Sequence, residues 1–288
     1  MCDHRAAIAP PAHTPTSAPA PQLQSVCEHH TWCASYPRAA VTECRPATRK
    51  IPTLEVMSVA KPWLFPEFSP VGVELGSAEA VASYDRKQGT DPAKDRALLD
   101  RLGVDAGMRL VDLACGTGSF VVEAAKRGVD AHGVDVSERM LDFTHRRAEE
   151  AGVEVSLHHA GFLTYEHPGR PADVVTTKSA LHQLPDFWKQ AALLRIAEYL
   201  RPGGLLYIWD MIFTFPPADY APHLQALVND LGHTDGTGWS REDFESHIRE
   251  EFSTYSWILE GLLDRAGFDV VATDFPRPTH GEICCRRR

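Results

Sequence analysis

The stretch VDLACGTGSF at residues 111–120 sets Gly116 and Gly118 directly after an apolar run. Glycines in such a turn let the main chain approach a ligand with no Cβ in the way. A helix starting just beyond them adds free N–H groups at the same place. The next apolar run ends in Asp135, a carboxylate at the end of the neighbouring strand. A turn of this kind at the carboxyl edge of an open sheet is where nucleotide-like ligands bind. Phosphate chemistry does not match the spacing. The dinucleotide pattern G-x-G-x-x-G would place its third glycine where Val121 stands, which disfavours a nicotinamide oxidoreductase, and no Gly-Lys-Ser or Gly-Lys-Thr follows to make a P-loop.

A second group of polar residues follows a later strand. His182, in KSALHQLPD at 178–186, is positioned to accept a proton from a substrate, since an imidazole titrates near neutrality. Its other reading is a ring that hydrogen-bonds the loop backbone and shapes a pocket. Trp209 and Asp210, closing LLYIWD at 205–210, could touch the same substrate, although Asp210 could equally face a neighbouring helix. Cys115 reads as a small packing residue of the turn and not as a nucleophile. His158 and His159 read as solvated surface, and no His-Glu-x-x-His pair suggests a metal.

The elements that hold these residues alternate, as in a parallel sheet covered by helices. Helices are expected at 77–87, 91–103, from about 118, 138–150, 186–200, 241–250 and 254–266. Strands are expected at 108–113, 130–134, 153–158, 173–177, 205–210, 268–275 and 280–286. Ser137 is placed to cap the helix at 138, and Pro202, Gly203 and Gly204 to stop the one before LLYIWD. A polar, glycine-rich insertion, part of a lid over about 214–250, separates the fifth strand from the last helices. Residues 1–56 mix Pro, Ala, Ser, Thr and His without periodicity and read as an unfolded tail before a domain at 57–288. Met57, where globular sequence begins, is a candidate start of a shorter functional chain. In the tail, Cys27, His29, His30, Cys33 and Cys44 fit none of the usual zinc spacings.

The 288 residues carry a formal charge of −10, which disfavours nucleic acid and acidic membranes as partners. No apolar run approaches the roughly 18 residues of a membrane span, so the chain reads as soluble and cytoplasmic. Seven cysteines at irregular spacings do not describe a disulfide framework.

Taken in order, VDLACGTGSF, VDVSERML at 134–141 and LRPGGLLYI at 200–208 resemble the motifs of class I S-adenosylmethionine-dependent methyltransferases over residues 77–286. The resemblance implies a Rossmann-like α/β fold: a seven-stranded, mostly parallel sheet with helices on both faces and the last strand antiparallel. It also implies S-adenosyl-L-methionine as cofactor and an in-line methyl transfer that needs alignment, exclusion of water and, for a protonated acceptor, a base. On it, Ala114, Cys115 and Gly116 wall the cofactor's amino acid part beside Gly118, with Asp112 bracing the turn. Asp135 takes the ribose hydroxyls, Val136 and Met140 flank the adenine, and Tyr84 covers the cofactor from an N-terminal lid helix. In HAGFLTY at 159–165, Gly161 stands where the family commonly has an acid for the adenine amino group, leaving the backbone of Phe162 to meet the ring. Phe213, Tyr220, His223, His233 and Trp239 fall where the family has a substrate cover. TFPPAD at 214–219 lacks the residues of DNA-base methylation, which favours a small-molecule methyl acceptor. The missing acid at 161 leaves a second reading open, a cofactor-binding protein without transferase activity.

Overall fold

The computed structural model describes residues 61–69, 84–85, 87–233 and 238–288. The tail at 1–56 with its cysteines and histidines, Met57, and most of the helix expected at 77–87 lie outside these residues.

The main sheet is built from β1 (Arg109–Leu113), β2 (Asp130–Asp135), β3 (Ser156–His159), β4 (Ala172–Lys178), β5 (Leu200–Asp210), β8 (Phe268–Arg277) and β9 (His280–Arg287) in the order β3-β2-β1-β4-β5-β9-β8. The β3-β2-β1-β4-β5 pairs are parallel, while β9 runs antiparallel to both neighbours. This is the doubly wound arrangement expected from the sequence. The order reverses between β1 and β4, so a crevice opens outside their carboxyl ends.

Both faces of the central strands are buried, which is why their sequences are continuous apolar runs and not alternating ones. Leu110, Val174 and Tyr207 face a layer made by α1 (Pro92–Leu102) and α2 (Ser119–Ala125), through Leu99, Phe120 and Val121. Val111, Val175, Leu206 and Ile208 face α4 (Asp186–Tyr199) and α7 (Ser256–Arg265), through Leu193, Ile196, Leu259 and Leu263. Between β2 and β3 runs α3 (Glu138–Ala151), whose N-terminal Met140 N–H is capped by the Ser137 hydroxyl. Gly118, at φ 77°, opens α2 so close to α3 that a Cβ there would lie 2.3 Å from Thr144 Cγ2. Its glycine is therefore demanded by helix packing.

Four details differ from expectation. β3 starts at Ser156 and not at 153, because Gly152 ends α3 in the left-handed conformation and Val153 bonds back to Ala148. Pro202, Gly203 and Gly204 do not separate α4 from the strand. They form a bulge inside β5, whose pairing jumps from Ala172↔Leu200 to Val174↔Leu205. The insertion after the fifth strand contains a helix, α5 (Tyr220–Leu231), since Leu224, Leu227, Val228 and Leu231 recur at helical spacing. Its flanks are β6 (Ile212–Phe213), paired with β7 (Thr254–Tyr255), and α6 (Arg241–Glu250).

His158 is the fourth. It is half-buried and stacks on His132 at 5.3 Å, with His132 Nδ1 3.0 Å from its Nε2. Burial pushes His132 down to about 4 against the pull of Asp130, so its ring is neutral in the fold. A group whose pKa is depressed by folding contributes stability that is lost as pH falls from the unfolded value of 6.5 toward the folded one. Denaturant unfolding is expected to show a loss of about 2 kcal/mol from this ring between pH 7 and pH 4.5. A His132→Phe chain should show a shallower loss, and an equal one would clear the ring of that role.

Candidate active site

The carboxylate of Asp135 organises the crevice. It accepts the Gly116 N–H on Oδ2 and the Ser137 N–H on Oδ1, both at 2.9 Å, and so ties the turn after β1 to the turn after β2. Burial pushes its pKa up, and these two N–H groups pull it back down. The turn is further fixed by the Cys115 N–H on the Val134 carbonyl and by the Thr144 hydroxyl on the Gly116 carbonyl. Ala114 at φ 57° and Ser179 at φ 52°, the two non-glycine residues with positive φ among those described, end β1 and β4 on either side of the topological switch. Strain of this kind gathers at functional sites.

A cavity of about 840 Å³ opens there. Of the residues expected to hold a cofactor, Tyr84, Ala114, Gly116, Asp135, Val136, Met140, Gly161 and Phe162 line it. Asp112, Cys115 and Gly118 do not. Asp112 is buried within β1 and accepts the Thr176 hydroxyl at 2.7 Å, so it braces β1 against β4, and burial raises it to about 6. Cys115 lies 3.1 Å from where a Cβ at Gly133 would sit, and burial pushes its thiol well up, which leaves it as packing. Gly118 serves the contact with Thr144.

The space beside Gly161 holds a carboxylate from elsewhere in the chain. A Cβ at Gly161 would lie 2.4 Å from the carboxyl carbon of Glu67, which lines the cavity. Glu67 accepts the Leu163 N–H at 2.9 Å and the Thr164 hydroxyl at 2.6 Å. Sequence reasoning missed it because residues 61–69 carry no periodic pattern and no motif.

Tyr84 lies over the glycine turn, with its Cε1 3.6 Å from where a Cβ at Gly116 would sit. Burial beside Asp135 raises its phenol to about 12, and Gln88 donates to its hydroxyl at 3.0 Å. Arg147 clamps this segment by bonding both Asp85 and the Thr117 carbonyl. Opposite, Tyr84 meets Trp239 edge to face at 6.1 Å, and Lys87 sits 5.0 Å from the Trp239 ring and 3.5 Å from Asp243. The segment around Tyr84 is thereby joined to α6.

A smaller chamber of about 400 Å³ adjoins the first and shares Tyr84, Ser179 and Gln183 with it. Trp209, Met211, Trp239 and Phe244 give it apolar walls, and His182, Asp210, His247 and Glu251 give it a polar end. Phe213, Tyr220 and His223, expected in the substrate cover, line neither space; Phe215 and His223 instead stack on each other at 4.6 Å. His182 is at the expected edge, yet it is not a free base. Its Nδ1 contacts Asp210, and its backbone N–H reaches the same carboxylate at 3.0 Å. Its Nε2 lies 2.9 Å from Glu251 Oε2. Burial alone would discharge the ring, but Asp210 and Glu251 hold it up to about 9, so it keeps its proton at neutral pH. Asp210 thus faces the histidine and not a helix. Sequence reasoning missed His247 and Glu251, although their spacing of four on a helix places them on one face.

The site residues fit an adenosyl sulfonium. A carboxylate stands at the strand edge for vicinal hydroxyls, apolar Val136, Met140 and Phe162 offer a flat wall, and Glu67 adds an acceptor beyond it. The comparisons agree. Residues 110–204 match the family described as a methyltransferase domain. Over 216 residues, 67% of this chain and 78% of the relative, the sequence is 29% identical to 27-O-demethylrifamycin SV methyltransferase of Amycolatopsis mediterranei. It is 32% identical over 191 residues to demethylmenaquinone methyltransferase of Thermus thermophilus, covering 63% of this chain and 84% of that one. The fold is also that of magnesium protoporphyrin IX methyltransferase from Synechocystis, solved with bound SAH, at a TM-score of 0.51 and 16% identity over 75% of this chain and 90% of that one. This protein belongs to the class I S-adenosylmethionine-dependent methyltransferases, and S-adenosylmethionine is its cofactor.

Proposed function

We propose that this methyltransferase acts on a hydroxyl of a small, planar acceptor held in the 400 Å³ chamber. The observation that carries the reading is the shared wall of Tyr84, Ser179 and Gln183, which puts the chamber next to the cofactor cavity with no other element between. When bound, the cofactor supplies an electrophilic methyl group on a positively charged sulfur. Asp135 accepts from the ribose, Val136, Met140 and Phe162 flank the adenine, Glu67 accepts from its amino group, and the main chain of Ala114 and Gly116 walls the amino acid part under Tyr84. His182 marks the acceptor end. Its proton is held between two carboxylates, so it orients the acceptor's polar group and the acceptor's own proton leaves by another route.

A flat ring suits walls made of Trp209, Trp239 and Phe244, since aromatic faces stack at little entropic cost. The relative named for 27-O-demethylrifamycin SV supports an oxygen as the acceptor atom, and the one named for demethylmenaquinone supports a quinone-type ring. The acidic chain, and Phe215 ahead of Pro216 and Pro217, favour a small molecule over nucleic acid.

A panel of phenols, hydroquinones, amines and carboxylates, read by release of adenosylhomocysteine, is expected to give turnover with hydroxylated rings. Binding of the cofactor with no release from any class would favour the non-catalytic reading. The Glu67→Gln substitution is expected to weaken S-adenosylmethionine binding about tenfold, the range for a hydrogen bond to a charged group. An unchanged dissociation constant in calorimetry would remove Glu67 from the adenine site.

A further inference from the structure

The polar end of the chamber gathers metal-ligand atoms from three side chains. His182, His247 and Glu251 each offer one ligand-type atom, all within 4.8 Å of one another. Glu251 Oε2 lies 2.9 Å from His182 Nε2 and 2.6 Å from His247 Nδ1. This oxygen is buried between the two rings. The outward nitrogens of both rings are occupied: His182 Nδ1 by Asp210, and His247 Nε2 by the Ser253 hydroxyl at 2.8 Å. Fixing the far nitrogen on a carboxylate or hydroxyl orients a histidine for metal ligation, and a bound ion would displace the proton that His182 otherwise holds toward Glu251.

The scaffold is rigid where the three ligands leave it. The Phe252 N–H bonds the His182 carbonyl at 2.8 Å, Lys189 bridges Asp186 and the Phe252 carbonyl, and the Thr254 hydroxyl reaches Asp186 at 3.1 Å. The end of α6 is thus pinned to the loop after β4, and His247 and Glu251 are held opposite His182. Ligand atoms about 2.1 Å from a tetrahedral zinc stand about 3.4 Å apart, so a small outward shift of Glu251 opens the site. Two imidazoles and one carboxylate suit zinc, manganese, iron(II) or cobalt(II) better than magnesium or calcium, which prefer all-oxygen sets.

We propose that His182, His247 and Glu251 bind one divalent transition-metal ion whose open coordination position faces the acceptor chamber. Resting on the reading of this chamber as the acceptor site, the proposal gives the acceptor's hydroxyl oxygen a ligand position on the ion. Coordination lowers the pKa of that hydroxyl: the O–H bond breaks, its electron pair stays on oxygen and the proton passes to water. The Asp210 and Glu251 carboxylates balance the charge of a divalent ion that two neutral imidazoles leave in place.

The test uses the full chain, freed of metal by a chelator and titrated with cobalt(II) under visible spectroscopy, with zinc titrated by calorimetry. One cobalt per chain with visible d–d bands is expected. Asp210→Asn should weaken binding about 10- to 100-fold, as loss of an outer partner does, and His247→Ala and Glu251→Gln should weaken it more. No cobalt bands, or binding unchanged in all three variants, would overturn the proposal. S-adenosylmethionine titrated on the same samples separates the two readings. Cofactor affinity kept by the variants certifies their fold. A chain that binds cofactor and turns over acceptor but takes no cobalt refutes only the metal site, whereas cobalt at these ligands without any turnover upholds the site and counts against the acceptor reading.

Discussion

The Asp135 carboxylate is the interaction on which the crevice depends. One side chain accepts the N–H groups of Gly116 and Ser137, and these belong to two different strand-to-helix turns. Parallel strands bring such turns to one edge of a sheet, and the Cys115 N–H on the Val134 carbonyl sets the first turn against β2. The buried acid joins it to the second turn, its desolvation offset because both oxygens meet donors. The same residue lines the cavity, so the group that joins the turns is also the one a ribose would meet.

Around this point the rest of the site is assembled from segments far apart in the chain. Glu67 reaches the space above Gly161, Arg147 holds Asp85 and hence Tyr84 over the glycine turn, and Trp239 and Asp243 meet Tyr84 and Lys87 from the insertion after β5. Tyr84 lines both the larger cavity and the smaller chamber, and its ring meets Trp239 in the wall of the latter.

What was legible in the sequence was whatever a strand or its turn dictates locally. The continuous apolar runs of β1, β4 and β5, the glycine turn and the acid closing β2 gave the doubly wound sheet and, with the family resemblance, eight residues of the cavity lining. Where reading failed, the cause was tertiary. Glu67 fills the space beside Gly161 from a segment with no periodic signal. The burial of His158 depends on His132 from the neighbouring strand. His182 stands at the right edge, but its chemistry is set by Asp210, Glu251 and His247, which come from other elements. The Pro-Gly-Gly sequence read as a helix stop, whereas the pairing of β4 with β5 absorbs it as a bulge. α5 was hidden by the proline and polar residues around its four apolar positions.

The central claim is that one carboxylate both sets the turn and holds the cofactor. Calorimetric titration of S-adenosylmethionine into the native chain and into an Asp135→Asn variant, which keeps shape and removes charge, tests it most directly. A single site is expected in the native chain, with an affinity lower by about 10- to 100-fold in the variant, the equivalent of one or two charged hydrogen bonds. Binding of S-adenosylmethionine by the Asp135→Asn variant as tightly as by the native chain would contradict the claim.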